Sequence, residues 1–173
     1  MTTLIAIDPG QNGGIAIRHH DGSVTACTIP ATVRDFIDLL TEIVRNHYLD
    51  DTSIPIVIME DVPPYTGKAQ SGSSAFKFGR NIGQLEGVIQ CLQLRFEKVR
   101  PQKWQKALSL GTSKGMSRTD WKNKLKTRAQ ELRPELKITL ATSDAVLILE
   151  WWIAMKLSDN LSQIKLAQTM ELV

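Results

Sequence analysis

Two short apolar segments, each ending on a carboxylate, constrain the fold of this chain most strongly. Leu4–Ile7 is an unbroken apolar run of the kind that forms a buried central strand, and Asp8 follows it directly. Residues 56–59 repeat the pattern, and Glu60 ends it. A carboxylate at the end of a buried strand costs free energy unless a turn, a cation or a metal ion pairs with it.

Two strand ends of this kind indicate one site, because functional groups gather at the carboxyl ends of adjacent strands in open α/β sheets. Glu60 continues its strand and is assigned to this site, whereas Asp61 points to the other face and is interpreted as a turn residue. Asp8 precedes Pro-Gly, so a simple turn-capping role is also open for it. Asp144 is the third candidate acid, although an acid in the first turn of the apolar helix 142–156 also suits the helix dipole.

The remaining pattern predicts a single α/β domain over residues 1–173. Apolar residues make up 42% of the chain, which is enough for a substantial core. Apolar and alternating runs predict strands over residues 3–7, 15–18, 24–29, 56–60 and 96–99. Capping signals and helical spacing predict helices over residues 32–48, 74–94, 118–133 and 142–156, with a short one from Pro101 that Gly111 closes. Ser158-Asp159-Asn160 interrupts this pattern, so we expect the last ~13 residues to form a short helix or a frayed tail.

The basic residues are concentrated in one part of the chain. Between Arg95 and Arg128 there are eleven Lys and Arg against two acids, whereas the remainder carries ten basic and sixteen acidic residues. A basic block beside an acidic remainder indicates a polyanionic partner bound at one face, with a solvated helical face as the alternative. The cations of this block cluster around one loop and two helix ends: Lys103, Lys106, Lys114, Arg118 and Lys122.

A second candidate for nucleic-acid contact lies near the start of the helix 74–94. Its residues alternate aromatic and cationic side chains, which suits stacking on bases and contact with phosphates: Phe76, Lys77, Phe78 and Arg80. Inward packing of the two phenylalanines is the alternative interpretation. The same helix carries Gly79, Gly83 and Gly87 on one face. Each glycine costs a helix about 1 kcal/mol relative to alanine, so we expect close packing there, in the core or at a dimer interface.

Five motifs, taken in order, resemble one family and span nearly the whole chain. Acids end the first and fourth strands and open the last helix, as in the ribonuclease H-like nucleases. In detail the motifs resemble the RuvC-type Holliday junction resolvases, and in particular their phage and organellar branch: IAIDPGQNGGIAI, IVIMEDV, SSAFKFGRNIGQLEGVI, VRPQKWQKALSL with the following SKGMSR, and SDAVLIL. Each motif alone is weakly specific, whereas five in this order are specific.

The resemblance implies both a fold and an activity. It implies a ribonuclease H-like mixed five-stranded sheet flanked by helices, and an endonuclease that makes paired symmetric nicks in four-way or other branched DNA. It further implies that Asp8, Glu60 and Asp144 bind two Mg²⁺ ions, for which Mn²⁺ can substitute, and that the protein is a homodimer. The DNA contacts would come from the two cationic patches: Phe76, Lys77, Phe78, Arg80, Lys103, Lys106, Lys114 and Arg118.

The sequence also carries an expectation about location. No apolar run approaches the ~20 residues of a membrane span, and the N-terminus lacks a basic-then-apolar signal pattern. Together with the resemblance, this predicts the cytoplasm of a bacterial or phage-infected cell, with an organelle as the alternative.

The chain departs from the family at one position. RuvC-type enzymes generally carry a fourth metal-binding group, Asp or His, a few residues before the last acid, whereas residues 138–143 contain neither around Ala141. This departure leaves open a branched-DNA-binding protein with weak or no cleavage. Sugar-kinase and actin-type ATPases also begin with a strand-Asp-x-Gly motif, but they need a second such domain and further glycine-rich phosphate loops.

Overall fold

Five strands form one mixed sheet with helices on both faces, which confirms the predicted fold class. The computed structural model describes residues 1–10, 12–49, 53–62 and 71–170. The strands are β1 (Leu4–Ile7), β2 (Gly14–Arg18), β3 (Val24–Thr28), β4 (Ile56–Glu60) and β5 (Arg95–Val99), in the spatial order β3-β2-β1-β4-β5. The helices are α1 (Val33–Leu49), α2 (Gly72–Cys91), α3 (Pro101–Ala107), α4 (Arg118–Leu132) and α5 (Ser143–Met170). No helix within the described ranges is long and apolar enough to cross a membrane.

The central strand β1 determines where the two strand-end acids lie. It pairs antiparallel with β2 and parallel with β4, and Ile7 is the register partner of Met59. The parallel strands therefore end side by side, and the next residue of each is an acid. Asp8 and Glu60 are thus neighbours at one end of the sheet.

A tight glycine turn connects β1 to β2. The Asp8 amide donates to the Gly14 carbonyl oxygen (3.0 Å), and the Gly13 amide donates to that of Gly10 (2.9 Å). A Cβ on Gly13 would overlap the Asp8 carbonyl group, and a Cβ on Gly14 would lie 2.6 Å from the carbonyl oxygen of Ala141. The turn therefore needs glycine at both positions, because Gly13 lies against the Asp8 carbonyl group and Gly14 against the segment that precedes α5.

The pleat of the sheet divides the apolar core into two layers. One layer joins alternate residues of β1 and β4 to α3, α4 and α5, and includes Leu4, Ala6, Ile58, Trp104, Leu125 and Leu147. The other layer joins the remaining strand residues to α1 and α2, and includes Ile5, Ile7, Val57, Phe36, Leu40 and Ile89. Helix α5 thus packs on one face of the sheet and α2 on the other.

Two expectations about helices are wrong. Helix α5 continues to Met170, whereas the sequence pattern predicted a break at residues 158–160. Ser, Asp and Asn each cost a helix only a few tenths of a kcal/mol, and this segment contains no Gly or Pro to stop it. Residues 171–173 of the predicted tail lie outside the described residues. Helix α2, predicted over residues 74–94, spans Gly72–Cys91. It begins two residues earlier than predicted because Ser71 caps it by accepting a hydrogen bond from the Ser74 amide (3.2 Å).

The expected core packing of the glycine face on α2 is also wrong. A Cβ built on Gly79, Gly83 or Gly87 meets no atom within 4 Å among the described residues, the helix's own backbone aside. The three glycines instead leave an open strip along the helix. The dimer-interface alternative for this face stays a prediction.

Candidate metal centre and the adjoining groove

Three carboxyl groups meet where β1, β4 and α5 come together. Asp8 follows β1, Glu60 ends β4, and Asp144 lies in the first turn of α5. Asp8 and Asp144 are buried, with 7% and 6% of their surface exposed. The close approach of Gly14 to Ala141 holds the start of α5 at this end of the sheet. The three acids predicted from the sequence are therefore brought together.

A hydrogen bond orients each of these carboxyl groups. Oδ1 of Asp8 accepts from the Gly10 amide at 3.0 Å, within the glycine turn. Oε1 of Glu60 accepts from Nε1 of Trp104 at 3.1 Å, across from α3. Oδ1 of Asp144 accepts from the hydroxyl of Ser143 at 3.0 Å. Each bond uses one oxygen of its carboxyl group and fixes the orientation of that group.

Burial and the repulsion of neighbouring carboxylates raise the pKa of two of these acids, Asp8 and Glu60. Burial, followed by the charge of Asp144, raises the pKa of Asp8 above its ordinary value. Burial, followed by the charges of Asp8 and Asp144, raises the pKa of Glu60 to about 8. A cation among the three groups would offset both effects. This electrostatic pattern is typical of functional sites.

Asp61 lies outside this cluster, as the strand alternation predicted. Its carboxylate is 3.8 Å from the guanidinium of Arg100, and its side chain is 40% exposed. Its amide continues the sheet by donating to the carbonyl oxygen of Val99 (2.7 Å). The two consecutive acids at the end of β4 therefore have different environments.

The sequence analysis did not assign Lys122 to the acid cluster. The ammonium Nζ of Lys122 lies 2.6 Å from Oδ2 of Asp144, and the Lys122 side chain is 30% exposed. Burial alone would lower the pKa of Lys122, but the charge and hydrogen bond of Asp144 and the charges of Asp8 and Glu60 raise it above its usual value. The sequence analysis grouped Lys122 only with the cations around one loop and two helix ends, and assigned it no contact with DNA or with an acid.

Trp104 is the second site residue that was missed. Sequence spacing placed it on the apolar side of α3, and it is fully buried. Its indole N–H nevertheless donates to the carboxyl group of Glu60. The one available signal was that a buried tryptophan usually finds a hydrogen-bond acceptor.

The chemistry of the acids fits a hard divalent cation, because Mg²⁺ and Mn²⁺ prefer carboxylate oxygen. As they lie, however, no three His, Cys, Asp or Glu side chains of the described residues are close enough together to hold an ion. The segment that would carry a fourth ligand instead contains Thr139 and Thr142, whose hydroxyls lie 3.1 Å apart. Positive charge at Asp144 comes from Lys122.

An open groove of about 670 Å³ adjoins the acid cluster. Gly10, whose amide binds Asp8, lies in its wall, and the groove runs between α2 and the connection from β3 to α1. Its lining includes three cations and an aromatic ring: Lys77, Arg80, Arg118 and Phe78. No acid is present among the described residues that line it. The amide of Asn81 donates to the carbonyl oxygen of Pro9 (3.1 Å) and ties α2 to the turn that carries Asp8.

The other predicted DNA contacts lie elsewhere on the surface. Phe76 is 69% exposed on α2. Lys103 on α3 lies over the ring of Trp151, 5.4 Å from its centroid. Lys106 and Lys114 are exposed, on α3 and on the loop before α4. The predicted DNA-contact residues therefore form two sets. One set lines the groove, and the other lies outside it: Phe76, Lys103, Lys106 and Lys114.

The strand order, with β1 parallel to β4 and helices on both faces, matches the ribonuclease H-like fold class. Within this class, the structure is similar to that of RuvC from Thermus thermophilus, with a TM-score of 0.51 and 13% identity over 90% of this chain and 97% of that chain. It is also similar to the structure of T. thermophilus RuvC in complex with a Holliday junction substrate, with a TM-score of 0.50 and 13% identity over 90% of this chain and 96% of that chain. The chain therefore has a RuvC-like fold. No protein-family model and no curated protein sequence matches it.

Proposed function

We propose that this protein is a Holliday junction resolvase, a metal-dependent endonuclease that makes paired symmetric nicks in four-way DNA. The observation that carries the proposal is the convergence of Asp8, Glu60 and Asp144 beside a groove lined by cations and by no described acid. The RuvC-like fold supports the same function, since a similar structure holds a Holliday junction substrate. Recombination, repair or phage DNA processing would supply such junctions.

The reaction we propose is hydrolysis of a phosphodiester at the acid cluster. Asp8, Glu60 and Asp144 would hold Mg²⁺, or Mn²⁺ in its place. When bound, such ions supply activation of water and stabilisation of the leaving 3′ oxygen. The chain positions the carboxyl groups for this task through the Gly10 amide and the indole of Trp104.

The groove would hold the DNA strand next to the scissile phosphate. Lys77, Arg80 and Arg118 are placed for contact with phosphates, and Phe78 offers a ring on which a base can stack. Phe76 would contact the centre of the junction, and Lys103, Lys106 and Lys114 would hold the arms. Binding through phosphates makes affinity strongly dependent on salt.

We further propose a homodimer, because a two-fold dimer matches the two symmetry-related strands of a junction. The open glycine strip of α2 is the candidate interface. The sequence motifs favour the phage and organellar branch of the family, and hence a cytoplasmic or organellar setting.

A second candidate function is a branched-DNA-binding protein that cleaves weakly or not at all. Two observations favour it: residues 138–143 contain no Asp or His, and Lys122 already contacts Asp144. In that case the groove would bind the DNA junction, but the protein would cleave its phosphodiester bonds weakly or not at all.

Cleavage of a synthetic four-way junction, compared with linear duplex of the same sequence, tests the proposal. We expect paired nicks at symmetric positions on the junction, in Mg²⁺ and more readily in Mn²⁺. Asp8→Asn should abolish the nicks while leaving junction binding nearly intact, whereas Asp61→Asn, which changes the acid outside the cluster, should leave both unchanged. Tight binding without nicks in either metal would favour the second candidate. Cleavage retained by Asp8→Asn would remove Asp8 from the metal centre.

A further inference from the structure

Lys122 is anchored so that its ammonium lies at the acid cluster. It projects from the second turn of α4, which Ser117 caps by accepting a hydrogen bond from the Asp120 amide at 3.1 Å. Leu125 and Ala129 bury the same helix in the core against α5. Lys122 is therefore presented by a rigid helix and not by a loop.

Asp144 has a donor on each of its oxygens. Oδ1 accepts from the hydroxyl of Ser143 at 3.0 Å, and Oδ2 accepts from the ammonium of Lys122 at 2.6 Å. The Asp144 side chain is only 8% exposed, so water contributes little to its solvation. A divalent ion bound at Oδ2 of Asp144 would lie next to the Lys122 ammonium, whose positive charge opposes its binding.

The charges at the site match one divalent ion better than two. When a bound metal ion favours their ionised forms, the three carboxylates carry a charge of −3, and Lys122 brings the sum to −2. One divalent cation neutralises that cluster, whereas a second would leave an excess of +2 in a largely buried site. Residues 138–143 contain no acid or histidine, so a second ion would lack a ligand from this segment. This absence also favours one bound ion over two.

We infer that the Lys122 ammonium takes the place of one of the two metal ions, so that each subunit binds a single divalent ion tightly. This inference rests on the metal centre of the proposed function. Lys122 supplies positive charge and holds Asp144 in orientation. Unlike a metal ion, an ammonium is a point charge with no open coordination position, so it leaves the activation of water to the one bound ion.

This inference is tested by adding Mn²⁺ to metal-free protein and measuring how many ions each chain binds. The measurement needs neither DNA nor catalytic turnover. Free Mn²⁺ is titrated by electron paramagnetic resonance, and bound ions are obtained by difference. We expect one tight Mn²⁺ per wild-type chain. Lys122→Met should bind its first Mn²⁺ at least about tenfold more tightly, because a repelling unit charge next to the ion is removed, and should take a second ion at higher concentration.

Two control variants test whether the effect depends on a positive charge at position 122 in particular, or on any positive charge of helix α4. Lys124→Met removes the same charge from the same helix, but the Lys124 ammonium lies over the ring of Trp121, 5.6 Å from its centroid. It should bind Mn²⁺ as the wild type does. Lys122→Arg retains a cation opposite Asp144 and should also bind one ion per chain.

The outcomes distinguish this inference from the proposed function. Two Mn²⁺ bound with similar affinity by the wild type would overturn the role of Lys122 while retaining the metal centre, as would Lys122→Met binding indistinguishable from wild type. No Mn²⁺ bound by either protein would overturn the metal centre and this inference together. If Lys122→Met does not fold without metal, two Mn²⁺ bound by the wild type or by Lys122→Arg would still overturn the inference.

Discussion

Glu60 is the residue whose ionisation should make stability depend most on pH. Its pKa is raised from 4.5 to about 8, first by burial and then by the charges of Asp8 and Asp144. Between these values the folded chain retains a proton that the unfolded chain has lost. The free energy of unfolding of the metal-free protein should therefore fall as pH rises through this window, by up to a few kcal/mol at about 1.4 kcal/mol per unit.

Urea denaturation in chelator, at pH values across this window, measures the effect. Glu60→Gln is the control, since its amide remains neutral and should flatten the dependence. Added Mn²⁺ should also flatten it, by favouring the ionised carboxylates. Equal pH dependence in wild type and Glu60→Gln would show that Glu60 is ordinarily ionised in the folded protein.

At the scale of single residues, sequence patterns found the acids but not their partners. Asp8 and Glu60 could be placed together because each ends an apolar run, and strand alternation separated Glu60 from Asp61. Lys122 and Trp104 could not be assigned, because their contacts depend on how α3 and α4 pack against the sheet. A lysine 22 positions before its partner acid leaves no periodic signal.

At the scale of elements, the contact between β2 and the start of α5 positions the third acid. Gly14→Ala would place a Cβ 2.6 Å from the carbonyl oxygen of Ala141 and 2.9 Å from the Cα of Thr142. Both neighbours are backbone atoms, so we expect a loss of about 1–3 kcal/mol in the free energy of unfolding, as in overpacked cores. Displacement of Asp144 should also weaken Mn²⁺ binding.

Thermal and urea denaturation of Gly14→Ala measure the expected loss in the free energy of unfolding. Gly72→Ala is the control. A Cβ on Gly72 at the start of α2 meets no described atom within 4 Å, so the same substitution should be neutral or slightly stabilising there. An unchanged stability of Gly14→Ala would mean that β2 and α5 can separate without cost.

The glycine strip of α2 allows a test of the dimer. Gly83→Ala adds a methyl group to a surface that is open within one chain, so the fold should tolerate it. If two copies of α2 pack along the strip, the methyl group should weaken dimerisation at least about tenfold, since close helix contacts depend on small residues. Sedimentation equilibrium of Gly83→Ala against Gly72→Ala measures this. Equal dimer affinity in the two variants would move the interface elsewhere.

Elements with strong patterns were predicted well, whereas their ends depended on local chemistry. The five strands lie within one residue of the predicted bounds because apolar and turn residues alternate clearly. The predicted end of α5 was wrong because the polar residues 158–160 were interpreted as a helix stop, although they include no Gly or Pro to end the helix. The glycines of α2 were expected to pack either in the core or at a dimer interface, and spacing alone could not decide between these because it does not say which side of a helix meets the sheet.

At the scale of the whole molecule, the groove and the basic surface should determine how DNA binding responds to salt. Lys77 and Arg118 line the groove from two different helices. Replacement of both by alanine should lower the slope of log affinity against log salt by about two, one for each lost phosphate contact. Lys137→Ala is the control, since this exposed lysine lies on the connection between α4 and α5, outside the groove lining.

Fluorescence anisotropy with a labelled four-way junction, over a series of salt concentrations, gives these slopes. An unchanged slope for the double variant would place the DNA path outside the groove. The basic block was visible in the sequence, but the groove was not, because its walls come from segments far apart in the chain. At 13% identity to a RuvC structure, the similarity is one of fold.

Anomalous diffraction from crystals soaked in Mn²⁺ tests the metal centre most directly. We expect an anomalous peak between the carboxyl groups of Asp8, Glu60 and Asp144, within coordination distance of their oxygens. The peak should be lost in Asp8→Asn crystals soaked in the same way. Mn²⁺ bound at full occupancy elsewhere, with none among these three acids, would contradict the assignment of this cluster as the catalytic site.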